Sequence, residues 1–124
     1  MSAPNIVNVT SIYGKTTYAT PANTSANVLV ANTSGSGKVF KINEIIAANA
    51  DGAAPYACTV AINTAADGSG TSYPIVSVIP VPANASLIVI DKTTSIYLEE
   101  NKSIIVTSST ASKIAYTLSY DEIN

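Results

Sequence analysis

The stretch "KIAYTLSYDEI", Lys113–Ile123, decides the fold. Ile114, Tyr116, Leu118 and Tyr120 fall at every second position, with Ala115, Thr117 and Ser119 between them. A period of two is that of a strand with one covered face and one wet face. Nothing in the chain sustains the 3.6-residue period of an amphipathic helix. The Ala-rich piece Ala47–Ala54 is cut by Asp51-Gly52 and followed by Pro55.

Working outward, the same grammar recurs. "YACTVAIN" (Tyr56–Asn63) places Tyr56, Cys58, Val60 and Ile62 inward, with Thr59 and Asn63 outward. "KVFKINEII" (Lys38–Ile46) puts Phe40 and Ile42 on one face and Lys41 and Asn43 on the other. Glu44 then breaks the phase, which predicts a bulge or a sheet edge near Asn43. "YPIVSVIPV" (Tyr73–Val81) carries a proline near each end. Proline cannot donate to a ladder, so this strand belongs at an edge or a bend. "SLIVID" (Ser86–Asp91) is apolar on both faces and reads as a central strand. "TSIYL" (Thr94–Leu98) and "SIIVTS" (Ser103–Ser108) read as a hairpin around "EENK". "NIVNVTSIY" (Asn5–Tyr13) and "ANVLVAN" (Ala26–Asn32) complete the set, with the polar run "KTTYATPANTS" between them as a connection.

The count is eight to ten short strands at roughly 10-residue spacing, the mark of a sandwich or barrel. The expectation is an all-β, single-domain sandwich over residues 1–124, of jelly-roll type in preference to an immunoglobulin-like order. Composition agrees. Val and Ile number 26 against 4 Leu, and Thr adds 14 more β-branched residues. Such side chains suit a pleated surface.

"VANTSGSGKVFKI" (Val30–Ile42) holds a Gly-Ser-Gly-Lys run that resembles a phosphate-binding loop. That loop needs glycine five positions before its Gly-Lys, a Ser or Thr after it, and a helix to follow. Here Asn32 stands at the first position, Val39 at the second, and a strand follows. "TSGSGK" is therefore a turn, with glycines free to take positive φ.

Other chemistry is scarce. There is no His, which removes Ser-His-Asp and Cys-His catalysis and the common zinc sites. Cys58 stands alone on an inward face and reads as a buried, inert thiol. Asp91, Glu99, Glu100, Asp121 and Glu122 lack the spacing of a calcium loop and read as solvated turn acids. Six Lys, no Arg and a net charge of −2 give no basic patch for nucleic acid. No basic start with an apolar core marks a signal peptide, and no apolar run approaches a membrane span. Five Asn-X-Ser/Thr sequons, at Asn8, Asn23, Asn32, Asn84 and Asn101, are near what composition alone produces. The expectation is a protein made in the cytoplasm, with no catalytic, cofactor or metal residues, no small-molecule substrate, and no membrane or nucleic-acid partner. Of the seven Tyr, the strand residues Tyr56, Tyr97, Tyr116 and Tyr120 lean toward the core. Tyr13 and Tyr18 flank polar sequence and suit contacts with a partner.

Three segments carry a resemblance. "VTSIYGKTT" (Val9–Thr17), "SGSGKVFKINEIIAANADG" (Ser34–Gly52) and "VPANASLIVIDKTTSIYLEENKSIIV" (Val81–Val106) are similar to small virion proteins of tailed phages, especially those of marine cyanobacteria. The resemblance implies an all-β structural subunit of the virion, assembled in the host cytoplasm. It transfers no active-site residue. It leads to the expectation of a head decoration (cement) protein bound to the major capsid protein and to itself, with trimers favoured by local three-fold axes. Residues 1–18 would form a docking arm, with Asn5, Ile6, Val7, Tyr13 and Tyr18 as interface residues. The alternatives are a neck, tail or fibre component and, in another class, a carbohydrate-binding module for host recognition. Sparse charge fits a surface partly covered by other chains.

Overall fold

The structure, a computed structural model, describes residues 7–124. Nine strands make two antiparallel sheets: β1 (Ile12–Ala19), β2 (Asn27–Asn32), β3 (Val39–Asn49), β4 (Tyr56–Asn63), β5 (Ser72–Val81), β6 (Ser86–Ile90), β7 (Ile96–Leu98), β8 (Lys102–Ser108) and β9 (Ile114–Ile123). One sheet runs β1-β9-β3-β6, with β7 also on β3, and the other runs β2-β8-β4-β5. The pairs β4·β5, β3·β6, β2·β8 and β1·β9 are nested one outside the next. The chain is thus one long antiparallel ribbon, doubled back between β4 and β5 and rolled into two facing sheets. That nesting is jelly-roll order and excludes the immunoglobulin-like alternative.

The core lies between the sheets. Ile42, Ile45, Leu98, Ile114, Tyr116 and Leu118 from the first sheet meet Cys58, Val60, Ile104 and Val106 from the second, all fully buried. β9 runs through the middle of its sheet, paired along its length with both β1 and β3. The bulge expected near Asn43 lies there: the β3·β9 register shifts between Ile42 and Glu44. Glu44 is exposed, and Ile45 and Ala47 return to the core. β5 is an edge strand, as Pro74 and Pro80 require.

Three readings are corrected. β1 is not Asn5–Tyr13 but the polar run from Ile12 to Ala19. Lys15–Tyr18 is exposed on nearly all of both faces, so it shows no apolar period. β6 is not central. It lies at the sheet edge with Ile88 exposed, and β7 continues it along the same edge of β3 after a 3-10 turn at Lys92–Thr94, capped by Asp91. β7 and β8 are not a hairpin. Leu98 and Ile104 are both fully buried, and the apolar faces of their strands meet across the core rather than side by side. The turn Glu99–Asn101 therefore crosses between sheets, with Asn101 at φ 58° donating its N–H to Asn32 O.

Polar groups tie the sheets together. Asn32, at the end of β2, donates to Lys38 O and to Leu98 O of the opposite sheet. Asn49, at the end of β3, donates to Ala54 O and to Val81 O, again across the sandwich. These two buried side chains sit at opposite ends of β3. Asn63, expected to point outward into water, is also buried. It leaves the core face, but the loop 64–71 folds over it: its Oδ1 accepts from Ala65 and Gly70 N–H, and its Nδ2 donates to Gly70 O and Ser72 Oγ. Tyr116 shares a 2.8 Å hydrogen bond with Ser108 and donates to Thr107 O at 3.2 Å. Burial pushes its phenol up to about 12, so it stays neutral.

Of the four described non-glycine residues with positive φ, Val78, Asn84, Asn101 and Ser112, one is β-branched. Val78 has φ 50°, a left-handed conformation that β-branched residues avoid, with its side chain 68% exposed on β5. Val78→Gly is expected to stabilise the protein by about 1 kcal/mol. The urea midpoint would rise at unchanged slope; a fall would mean that the side chain is held by contacts.

Candidate interaction edge

Among the described residues five strands have an open side, and four of them are blunted, β7 by being only three residues long. β5 carries two prolines, and its pairing with β4 slips twice. β2 is six residues long and bulged between Val28 and Val30. β6 is five residues long and runs into the 3-10 turn. Short strands, bulges and prolines are the devices that keep sheet edges from pairing with other chains.

β1 has none of these three, and its one charge, Lys15, is paired with Glu122. Its eight residues pair with β9 without a slip, from Ile12↔Ile123 to Ala19↔Tyr116, and it contains no proline. Ser11 and Asn124 exchange both backbone bonds, N–H to O 3.1 Å and 2.9 Å. By antiparallel alternation, Tyr13, Lys15, Thr17 and Ala19 then bond inward to β9. The N–H and C=O groups of Ile12, Gly14, Thr16 and Tyr18 point off the edge, with no ladder partner among the described residues. The same alternation sorts the side chains: Tyr13, Lys15, Thr17 and Ala19 share the face of the core, where Thr17 Oγ1 reaches Leu29 O.

Of the interface candidates, Asn5 and Ile6 lie outside the described residues. Val7 is exposed. Tyr13 and Tyr18 are 58% and 71% exposed and share β1, but on opposite faces. Sequence reading missed Ile12, Gly14 and Thr16, because it took Gly14 as the end of a strand. Tyr97, expected to lean inward, is half exposed.

The charged cluster found near this edge among the described residues is structural. Glu122, read as a solvated terminal acid, is buried on the inner face of β9. It accepts from Lys38 Nζ at 2.8 Å and Lys15 Nζ at 2.9 Å. Those bonds hold its carboxyl below the usual range and raise the Lys15 ammonium. A depressed carboxylate pKa contributes stability above the unfolded value of 4.5, and that stability is lost as pH falls through the folded value. Lys15 contributes below 10.5, and its contribution is lost as pH rises through its folded value. Glu122→Gln is expected to flatten the acid limb of a stability–pH curve; an unchanged limb would assign that limb to Asp51, Asp67 and Asp91, whose carboxyls local hydrogen bonds also hold low.

Two shallow depressions, one at Tyr18, Thr20, Ala115 and Thr117 and one at Thr24, Thr59, Val78 and Thr107, contain no acid, Lys or Cys. Among the described residues no three of His, Cys, Asp and Glu gather as a metal site, and no helix is long and apolar enough to cross a membrane. Cys58 is fully buried, which pushes its thiol up and away from reactivity.

Fold and edge together define a small jelly-roll domain with one strand open for pairing. No protein-family model matches the chain, and no curated protein does. Among solved structures, a chain from the structure of infectious bursal disease virus, Gt strain, is similar over 93% of this chain and 30% of its own length, at TM-score 0.39 and 7% identity.

Proposed function

We propose that this protein is a non-enzymatic structural subunit of a virion, and that it decorates the head of a tailed phage by binding the major capsid protein. The observation that carries the reading is β1: a long, regular, proline-free edge in a molecule whose other edges are blunted. An exposed edge of this kind joins the subunits of an assembly by strand pairing. The sequence resemblance to tailed-phage virion proteins supplies the context. Sparse charge supports it, and residues 1–18 would supply the docking arm.

The test is binding of purified, labelled protein to heads and tails separated from virions stripped of it. Saturable binding to heads, at a copy number tracking the capsid lattice, is expected. Binding to tails or necks alone would move the protein to a neck, tail or fibre role. Deleting residues 2–9 removes the part of that arm that precedes β1 and stops short of the Thr10 and Ser11 bonds to Asn124. Head binding unchanged by that deletion would dismiss the arm.

A further inference from the structure

We propose that the open edge of β1 is filled by β1 of a second copy of this chain, antiparallel, about a two-fold axis through Thr16. The inference rests on reading β1 as an assembly edge and names its occupant.

The argument is one of register. Ile12, Gly14, Thr16 and Tyr18 direct their backbone groups off the edge, so they must pair among themselves. That parity leaves two symmetric registers that keep nearly all of β1 paired. One centres on Lys15 and sets two cationic side chains directly opposite on one face, a like-charge pair even with each Nζ drawn toward its own Glu122. The other centres on Thr16 and contains no like-charge pair. There Thr16 meets its own copy, Lys15 meets Thr17, and Tyr13 meets Ala19. Tyr18 lies across Gly14, whose missing side chain leaves room for the ring; a Cβ on Gly14 would have nothing nearer than Asp121 Oδ1 at 3.9 Å. Aromatic residues across from strand glycines favour such pairing. Lys15 does not block approach, because its Nζ is drawn inward to Glu122. An isologous contact of this kind closes as a dimer.

Two variants test it. Thr16→Pro removes only a donor that points off the edge and leaves the β1·β9 bonds intact. Sedimentation of the full chain is expected to give twice the mass of the 12.7 kDa subunit, and T16P to give the single mass while still melting in one cooperative transition. Thr16→Cys is expected to form an intersubunit disulfide on mild oxidation, since its Cα would lie about 5.5 Å from its copy, within bridging range. Cys58 is buried and gives no background. Lys15→Cys is expected to cross-link poorly.

A monomer at all concentrations, a dimer untouched by T16P, or cross-linking through K15C in place of T16C would each overturn the proposal. Occupation of the edge by the chain's own first residues would appear as a monomer. The stripped-head assay reads separately: heads that fail to bind an intact dimer defeat decoration alone, and heads that bind a monomer defeat pairing alone.

Discussion

Asn49→Ala is expected to lower the stability of the protein by about 3 kcal/mol, chiefly through lost hydrogen bonds. The amide donates to Ala54 O and Val81 O and accepts from Asp51 N–H. Asn49 is 2% exposed and Val81 is fully buried, so water cannot replace the lost donor at Val81 O. A buried acceptor left unpaired costs about 1–3 kcal/mol, and more than one bond is lost here. Urea unfolding followed by tryptophan-free probes, such as far-ultraviolet dichroism, would measure it. The thermal midpoint should fall by about 10 °C. A loss below about 1 kcal/mol would mean that the β3 end relaxes enough to admit water.

Leu118→Ala is expected to cost about 3 kcal/mol by a different route. Leu118 is fully buried on β9, the strand that pairs on both sides, between Thr17 of β1 and Ile45 of β3. Strands fixed on both sides cannot close in on the space, so the cavity persists and adds to the lost transfer energy. The same substitution at Leu87, half-buried on an edge strand, should cost markedly less. Equal losses at the two sites would argue that β9 is not the rigid centre of its sheet.

β9 was legible because one face is dry and the other wet along most of its length. β4, the bulge at Asn43 and the edge position of β5 were legible because a local feature dictates each. The glycines of "TSGSGK" are another case: Gly35 and Gly37 take φ 78° and 69°. β1 was not legible, because the face it turns toward the core carries Lys15, Thr17 and Ala19 and ends at the open side of the sandwich. β6 misled because Leu87, Ile88, Val89 and Ile90 are all apolar, yet Ile88 stays exposed. Asn32, Asn49 and Glu122 were hidden for one reason. Their partners, such as Leu98 for Asn32 and Lys15 for Glu122, are 66 and 107 positions away. Local pattern cannot price a polar group whose partners arrive only when the ribbon rolls up.

The nested pairing also sets an order in time. β4 and β5 are joined by the short loop 64–71, whereas β1 and β9 unite the two ends of the described chain. Loop closure costs more as the enclosed segment grows, so the inner pairs are favoured to form first and β1 to zip on last. Distant pairings of this sort make all-β domains slow to fold. What closes last with the fewest buried contacts also opens most readily, so amide exchange in the native protein should run fastest along β1. A partner strand laid on β1 slows exchange where the isolated chain is least protected, and it lengthens the lifetime of the whole fold by holding shut the strand from which unravelling starts.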